Sequence, residues 1–255
     1  MPQSHERTAI LFEPIPRLVP PGPLGHAEVH LWCIPLEIGS DSLRGLRRVL
    51  SDEEQQRAER FRFEPDRRRY IAARAALRTL LGRYVDQPAE RIVFSYSTTG
   101  KPFLQRADGG SGPHFNVSHS GAIALLAFCA DAELGIDVEL VRDIEDTESI
   151  VRRFFCAAEV EQWMGLPGHL RQKAFYDCWT RKEAVVKAMG GGLSVPLDAF
   201  QVSFSPTDAP RVRFRHDAGV TPWSLYDVSP AADYSGALAI RGARWDLRCW
   251  LPAGT

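Results

Sequence analysis

The strongest constraint on the fold is an internal echo. Pro88-Ala-Glu-Arg-Ile-Val-Phe-Ser-Tyr96 and Pro196-Leu-Asp-Ala-Phe-Gln-Val-Ser-Phe204 read alike. Each follows a long helical pattern that ends near glycine. Apolar residues recur at equal offsets from each proline: Ile92 with Phe200, Phe94 with Val202, Tyr96 with Phe204. The offset is close to half of the 255-residue chain. Two readings stay open on this pattern alone. Two short strands match by chance, or the chain is a tandem of two similar α+β subdomains with an interface between them.

Composition narrows the function classes. Lys plus Arg total 31 and Asp plus Glu total 32, which excludes a disordered acidic tail and a globally basic nucleic-acid coat. A local basic pocket remains open. With 44% apolar residues the chain can bury a real core. The five cysteines at 33, 129, 156, 178 and 249 are odd in number and widely spaced, without CxxC. They read as reduced, mostly buried thiols in a cytoplasmic protein, with no disulfide framework and no zinc site. The N-terminal stretch with Pro14, Pro16, Pro20, Pro21 and Pro23 lacks an apolar core, so no signal peptide is expected. The longest apolar run, Ala122 to Ala130, is far short of the roughly 20 residues that span a bilayer.

Local patterns set the elements. Residues to about 25 read as an irregular Pro-rich arm, and Glu28 to Pro35 alternates like a strand. Ser51-Asp-Glu-Glu54 caps a helix that reaches about Phe63, and a second runs from Asp66 to about Tyr84. Strands are expected at 91–96, 122–130 and 134–141, with a turn at 98–102. Helices are expected at about 146–154, 157–164 and 169–189, the last closed by Gly190-Gly-Gly192. Strands dominate after that.

Five pieces could carry chemistry. In Gly135-Ile-Asp137-Val-Glu139, strand periodicity puts Asp137 and Glu139 on one side. Two such carboxylates are either solvated at a strand edge or neutralised by a hard divalent cation. In Trp179-Thr-Arg-Lys-Glu183-Ala-Val-Val-Lys187, Glu183 and Lys187 share a helix face among apolar neighbours. That pair is a surface ion pair, or a third acid and an ammonium at a metal–phosphate site. Phe115-Asn-Val-Ser118-His119-Ser120-Gly121 reads as a small polar turn before a buried strand, capping the chain or donating to phosphate. Gly100-Lys101-Pro102 is no Walker A loop, since its flanking Gly and Ser/Thr are missing. The arginines at 57, 60, 62, 67, 68, 69, 74 and 78 mostly form a solvated face, from which one or two could clamp a terminal phosphate.

Taken in order, Gly100-Lys-Pro, Phe115-Asn-Val-Ser-His-Ser, Gly135-Ile-Asp-Val-Glu and Trp179-Thr-Arg-Lys-Glu-Ala-Val-Val-Lys resemble the 4′-phosphopantetheinyl transferases of the surfactin (Sfp-like) type. Phe61-Arg-Phe, Asp66, Arg74 and Leu77-Arg78 extend the likeness over nearly the whole chain beyond the arm. The resemblance implies an α+β pseudo-dimer of two similar subdomains, each a small mainly antiparallel sheet packed with a long helix, sharing one site. The implied division is 1–25 arm, 26–131 on the nucleotide side and 132–255 carrying the metal and catalytic residues. On the echo's offset Ala75 stands opposite Glu183 and Thr79 opposite Lys187, so one site per chain is expected.

Residue by residue, the resemblance implies that Asp137, Glu139 and Glu183 hold Mg²⁺ on the pyrophosphate of coenzyme A. Glu183, or a water it orients, is the implied base, and Lys187 meets phosphate. Ser118 and His119 match phosphate and nucleotide positions, and Lys101 and Pro102 the adenosine side. Arg57 matches a 3′-phosphate position, with Arg74 a second candidate, while Glu54 stands where some members have lysine. The implied reaction moves 4′-phosphopantetheine to a serine of an acyl or peptidyl carrier protein and releases 3′,5′-ADP. The partner is a small acidic bundle serving fatty acid, polyketide or peptide assembly, and Trp163, Met164, Leu166 and Pro167 are either a docking patch for it or core. A monomer without nucleic-acid or membrane partners is implied. The alternatives are a non-catalytic module that binds coenzyme A or the carrier, and a generic Mg²⁺ phosphohydrolase.

Overall fold

A computed structural model describes residues 11–105, 112–204, 210–214 and 222–252, without the Leu193 side chain. Along the chain run β1 (Glu13–Ile15), β2 (Glu28–Pro35), α1 (Ser40–Arg47), α2 (Asp52–Glu59), α3 (Glu64–Tyr84), β3 (Val93–Tyr96), β4 (Pro102–Gln105), β5 (His114–Ser120) and β6 (Ile123–Cys129). They are followed by β7 (Leu134–Leu140), α4 (Thr147–Phe154), α5 (Ala157–Gly165), α6 (Gly168–Met189), β8 (Phe200–Val202), β9 (Val212–Phe214), β10 (Trp223–Asp227), β11 (Tyr234–Arg241) and β12 (Asp246–Pro252). These elements form two α+β units. The first holds Phe12–Ser97, Pro102–Asp131 and the chain from Asp246; the second holds Thr98–Lys101 and Ala132–Trp245.

The first unit is built on a five-stranded sheet of order β1-β12-β2-β6-β5. β2, β6 and β5 are antiparallel, whereas β1 and β12 join in parallel. Two expectations change here. Residues 246–252 belong to the first unit's sheet rather than to the second half, and the Pro-rich arm contributes a strand of its own. Pairing between residues 28 and 246 leaves no trace in local hydropathy. α3 supplies Ala72, Ala73, Ala76, Leu77, Leu80 and Leu81 to the core that also holds Trp32, Ile34, Leu126 and Phe128. Glu64 and Pro65 open this helix two residues before Asp66, with proline in the first turn where its missing N–H costs nothing.

The second unit carries a three-stranded antiparallel sheet, β10-β11-β7. α6 buries Ala174, Phe175, Cys178, Ala184, Val185 and Val186 in the core formed with Ala237 and Ala239 of β11. Gly190 ends α6 in the left-handed region (φ 68°), the expected glycine cap. Trp163 is core, 4% exposed, with its indole N–H on the Arg171 carbonyl at 2.9 Å.

The echo has a structural counterpart. Pro88 precedes a 3-10 turn at Ala89–Arg91 and then β3, and Pro196 precedes a 3-10 turn at Leu197–Ala199 and then β8. Each strand pairs antiparallel with the next, β3 with β4 and β8 with β9.

Candidate active site

The second unit's acids are set by strand period and a close helix approach. β7 pairs with β11 so that Asp137 faces Ala237 and Glu139 faces Ser235. Ile136 and Val138 are fully buried on the opposite side. Gly135 shares the side of Asp137 and Glu139. A Cβ on Gly135 would stand 2.1 Å from the Ala184 carbonyl and 2.3 Å from the Ala188 nitrogen. Only glycine lets β7 lie this close to α6, so the acids face the helix that carries Glu183 and Lys187.

Lys187 reaches across this gap. Its Nζ lies 2.7 Å from Asp137 Oδ1 and 3.1 Å from the Ile136 carbonyl. Burial pushes the Glu183 carboxyl above its ordinary range, and the charges of Asp137 and Glu139 add to the rise while Lys187 opposes it. The three acids and the lysine are therefore one electrostatic group, rather than a surface i,i+4 pair.

A hard divalent cation suits these donors. All are carboxylate oxygens, and a cation would relieve the repulsion that raises Glu183. Their spacing is a separate matter: among the described residues, no group of three His, Cys, Asp or Glu side chains stands at metal-holding distance. The Lys187 ammonium forms an ion pair with Asp137.

Lys101 belongs to the same unit. Its ammonium pairs with Glu133 and donates to the Leu134 carbonyl at 3.2 Å, at the start of β7. Thr99 Oγ1 donates to the Gly190 carbonyl at 2.7 Å. The 98–101 segment is thus tied to the start of β7 and to the end of α6, a role no sequence pattern signals.

The remaining residues lie in the first unit. Ser118 and His119 stand on β5, a full strand paired to β6 at Leu125 and Ala124, rather than on a turn. The alternation buries Ser118 and exposes His119. Pro102 opens β4 opposite Tyr96. Arg57 is exposed on α2, its guanidinium 5.6 Å from the Tyr70 ring centre. Arg57, Arg60, Phe61, Tyr70 and Tyr96 wall a groove of about 630 Å³ that Glu54 also lines.

Arg74 is committed elsewhere. Its Nε donates to Glu54 Oε1 at 2.5 Å, an Nη donates to Tyr96 at 3.2 Å, and the guanidinium lies 3.9 Å from the Phe94 ring centre. Arg78 holds the other oxygen, Glu54 Oε2, at 2.6 Å. Burial would raise the Glu54 carboxyl, but Arg78, Arg74 and the Ser51 amide hold it below the usual range. Sequence reading missed this carboxylate's role, although Ser51-x-x-Glu54 spells a reciprocal capping box.

Comparison with known proteins agrees on the family. Residues 39–131 match the model of the 4′-phosphopantetheinyl transferase N-terminal region, and residues 133–239 that of the 4′-phosphopantetheinyl transferase superfamily. The 4′-phosphopantetheinyl transferase HetI of Nostoc sp. is 37% identical over 88% of this chain and 92% of its own length. The 4′-phosphopantetheinyl transferase Sfp of Bacillus subtilis is 31% identical over 60% of this chain and 66% of its own. A holo-(acyl-carrier-protein) synthase from Bacillus anthracis, solved with CoA (3′,5′-ADP), covers 44% of this chain and 97% of that one at 20% identity and a TM-score of 0.38. The sequence matches run through both units, and on them the chain belongs to the 4′-phosphopantetheinyl transferase superfamily.

Proposed function

We propose that this enzyme moves the 4′-phosphopantetheine group of coenzyme A onto a serine of an acyl or peptidyl carrier protein, with 3′,5′-ADP as the leaving group. The observation that carries the reading is the joint setting of Asp137, Glu139, Glu183 and Lys187 across one glycine-closed strand–helix contact. Family membership supplies the reaction class. The carrier hydroxyl oxygen bonds to the phosphorus that bears pantetheine, and the bond from that phosphorus to the bridging oxygen breaks. Glu183 accepts the hydroxyl proton, and 3′,5′-ADP departs with the bridging oxygen. Lys187 offsets charge on the transferring phosphate.

Asp137, Glu139 and Glu183 would hold Mg²⁺, which when bound supplies positive charge to the pyrophosphate. Arg57 takes the 3′-phosphate end, with Ser118, His119, Lys101 and Pro102 along the nucleotide. Arg74 is better read as the support of Glu54 than as a second phosphate clamp, because its guanidinium is spent on Glu54, Tyr96 and Phe94. Among the described residues no helix is long and apolar enough to cross a membrane. Five free, buried cysteines support a reducing cytoplasmic setting. We also read the enzyme as a monomer.

The test is to incubate an apo carrier protein with the enzyme, coenzyme A and Mg²⁺ and to weigh the carrier. A gain of one phosphopantetheine supports the reading. No gain across fatty acid, polyketide and peptide carriers sinks it. Hydrolysis of coenzyme A without a carrier would favour the phosphohydrolase.

A further inference from the structure

Two buried charges lie outside this chemistry. Lys182 and Glu159 are both 0% exposed, and Lys182 Nζ stands 2.8 Å from Glu159 Oε2. The ammonium also donates to the carbonyls of Leu197 at 2.7 Å and Phe200 at 2.8 Å. All three of its protons are used. Glu159 accepts from the backbone N–H of Cys156 at 2.9 Å and of Val202 at 2.8 Å. One knot thus joins the start of α5, the middle of α6, the 3-10 turn at Leu197–Ala199 and β8.

Such a pair is a poor source of stability. Burying two charges costs several kcal/mol, and a well-packed apolar pair often holds a core equally well. What the pair adds to packing is direction, because each charged group is held by hydrogen bonds to fixed partners. Lys182 immediately precedes Glu183, and successive residues on a helix point about 100° apart. Pinning Lys182 to fixed acceptors on one side of α6 therefore sets the heading of Glu183. Gly135 of β7 meets the same helix at Ala184, Lys187 and Ala188, which sets its closest approach to the acids.

We propose that Lys182 and Glu159 are positioning residues: their ion pair fixes the rotation of α6 about its own axis and so aims Glu183 at Asp137 and Glu139. This rests on the transferase reading of Glu183. Misplacement of a reacting group by about 1 Å costs on the order of 100-fold in rate. Loosening the pair should therefore lower kcat and leave coenzyme A binding nearly intact.

The test is steady-state transfer by Lys182→Met, Lys182→Arg and Glu159→Gln, each checked for a cooperative melt. For Lys182→Met, kcat is expected to fall on the order of 100-fold while KM for coenzyme A stays within about twofold. Lys182→Arg, which keeps the charge, should recover most of the loss. Should Lys182→Met not fold, Glu159→Gln carries the same split. A folded variant with wild-type kcat overturns the proposal, as does a KM that rises in step with the loss. Amide hydrogen exchange of the wild type and Glu159→Gln without substrate is the second readout. Faster exchange at 183–187 in the variant is expected, and unchanged exchange overturns the pair's role. A wild-type enzyme that loads no carrier would sink the transferase reading alone, and the exchange result would still decide the pair.

Discussion

α3 and α6 stand in matching settings. In each unit a helix begins with a capping box, Ser51 with Glu54 and Cys156 with Glu159. In each, that glutamate pairs with a buried base on the long helix, Arg78 or Lys182. Each base donates to two carbonyls of the 3-10 turn after a proline, that of its first residue and that of the residue just after it: Ala89 and Ile92 for Arg78, Leu197 and Phe200 for Lys182. The shared parts make the scaffold, and the differences locate the chemistry. α6 adds Glu183 and Lys187, one and five residues after Lys182, where α3 has Thr79 and Arg83 at the same places after Arg78. Glu54 borders an open groove and is shared by two arginines, whereas Glu159 is sealed and serves one lysine. The same latch therefore borders an open groove in one unit and an acid cluster in the other.

The comparison can be broken in several ways. The largest effect is expected for Glu183→Ala, which removes the group that only the second unit has. Transfer should drop by about 1,000-fold or more with little change in melting temperature, read by carrier mass and thermal melts. Next comes Gly135→Ala. Its methyl would overlap backbone atoms of α6, so a loss of about 1–3 kcal/mol in denaturant unfolding is expected, together with a fall in kcat. Glu54→Ala leaves the buried Arg78 guanidinium and that of Arg74 without their shared carboxylate and should cost about 3 kcal/mol or more.

A pH test sharpens the first unit's half. The Glu54 carboxyl is held low in the fold, so its contribution is fully present above the usual carboxylate pKa of about 4.5 and is lost as pH falls through its lowered folded value. Glu54→Gln should flatten that acid limb in urea unfolding between neutral and acid pH. The smallest effect is expected at the groove wall. Arg57→Ala should raise KM for coenzyme A by about tenfold with kcat nearly kept, and the rise should shrink for coenzyme A lacking its 3′-phosphate.

The legible parts of this molecule are those with a local cause. β2 spans Glu28–Pro35 as its alternation predicts, and period two puts Asp137 and Glu139 on one side of β7. α2 to α6 and the glycine cap of α6 follow from spacing and caps. Long-range pairing was not legible. β12 joins β2 across most of the chain, and Leu247 facing Val29 is a fact of register that no window contains. α1 carries no fully buried residue, so its pattern is faint. The polar Asn116-Val-Ser-His119 stretch looks like a turn because its strand character comes from pairing with β6. At the site, residue types were legible but partners were not. The i,i+4 spacing pairs Lys187 with Glu183, whereas the close approach at Gly135 delivers Lys187 to Asp137.

The central claim is that one of two similar scaffolds carries the transfer chemistry, through Glu183. Its most direct test weighs an apo carrier protein after an incubation just long enough for the wild type to load it, with coenzyme A, Mg²⁺ and either wild-type enzyme or Glu183→Ala of equal thermal stability. The account predicts a carrier gaining one phosphopantetheine with the wild type and an unchanged carrier with the variant. Equal loading by both would contradict it.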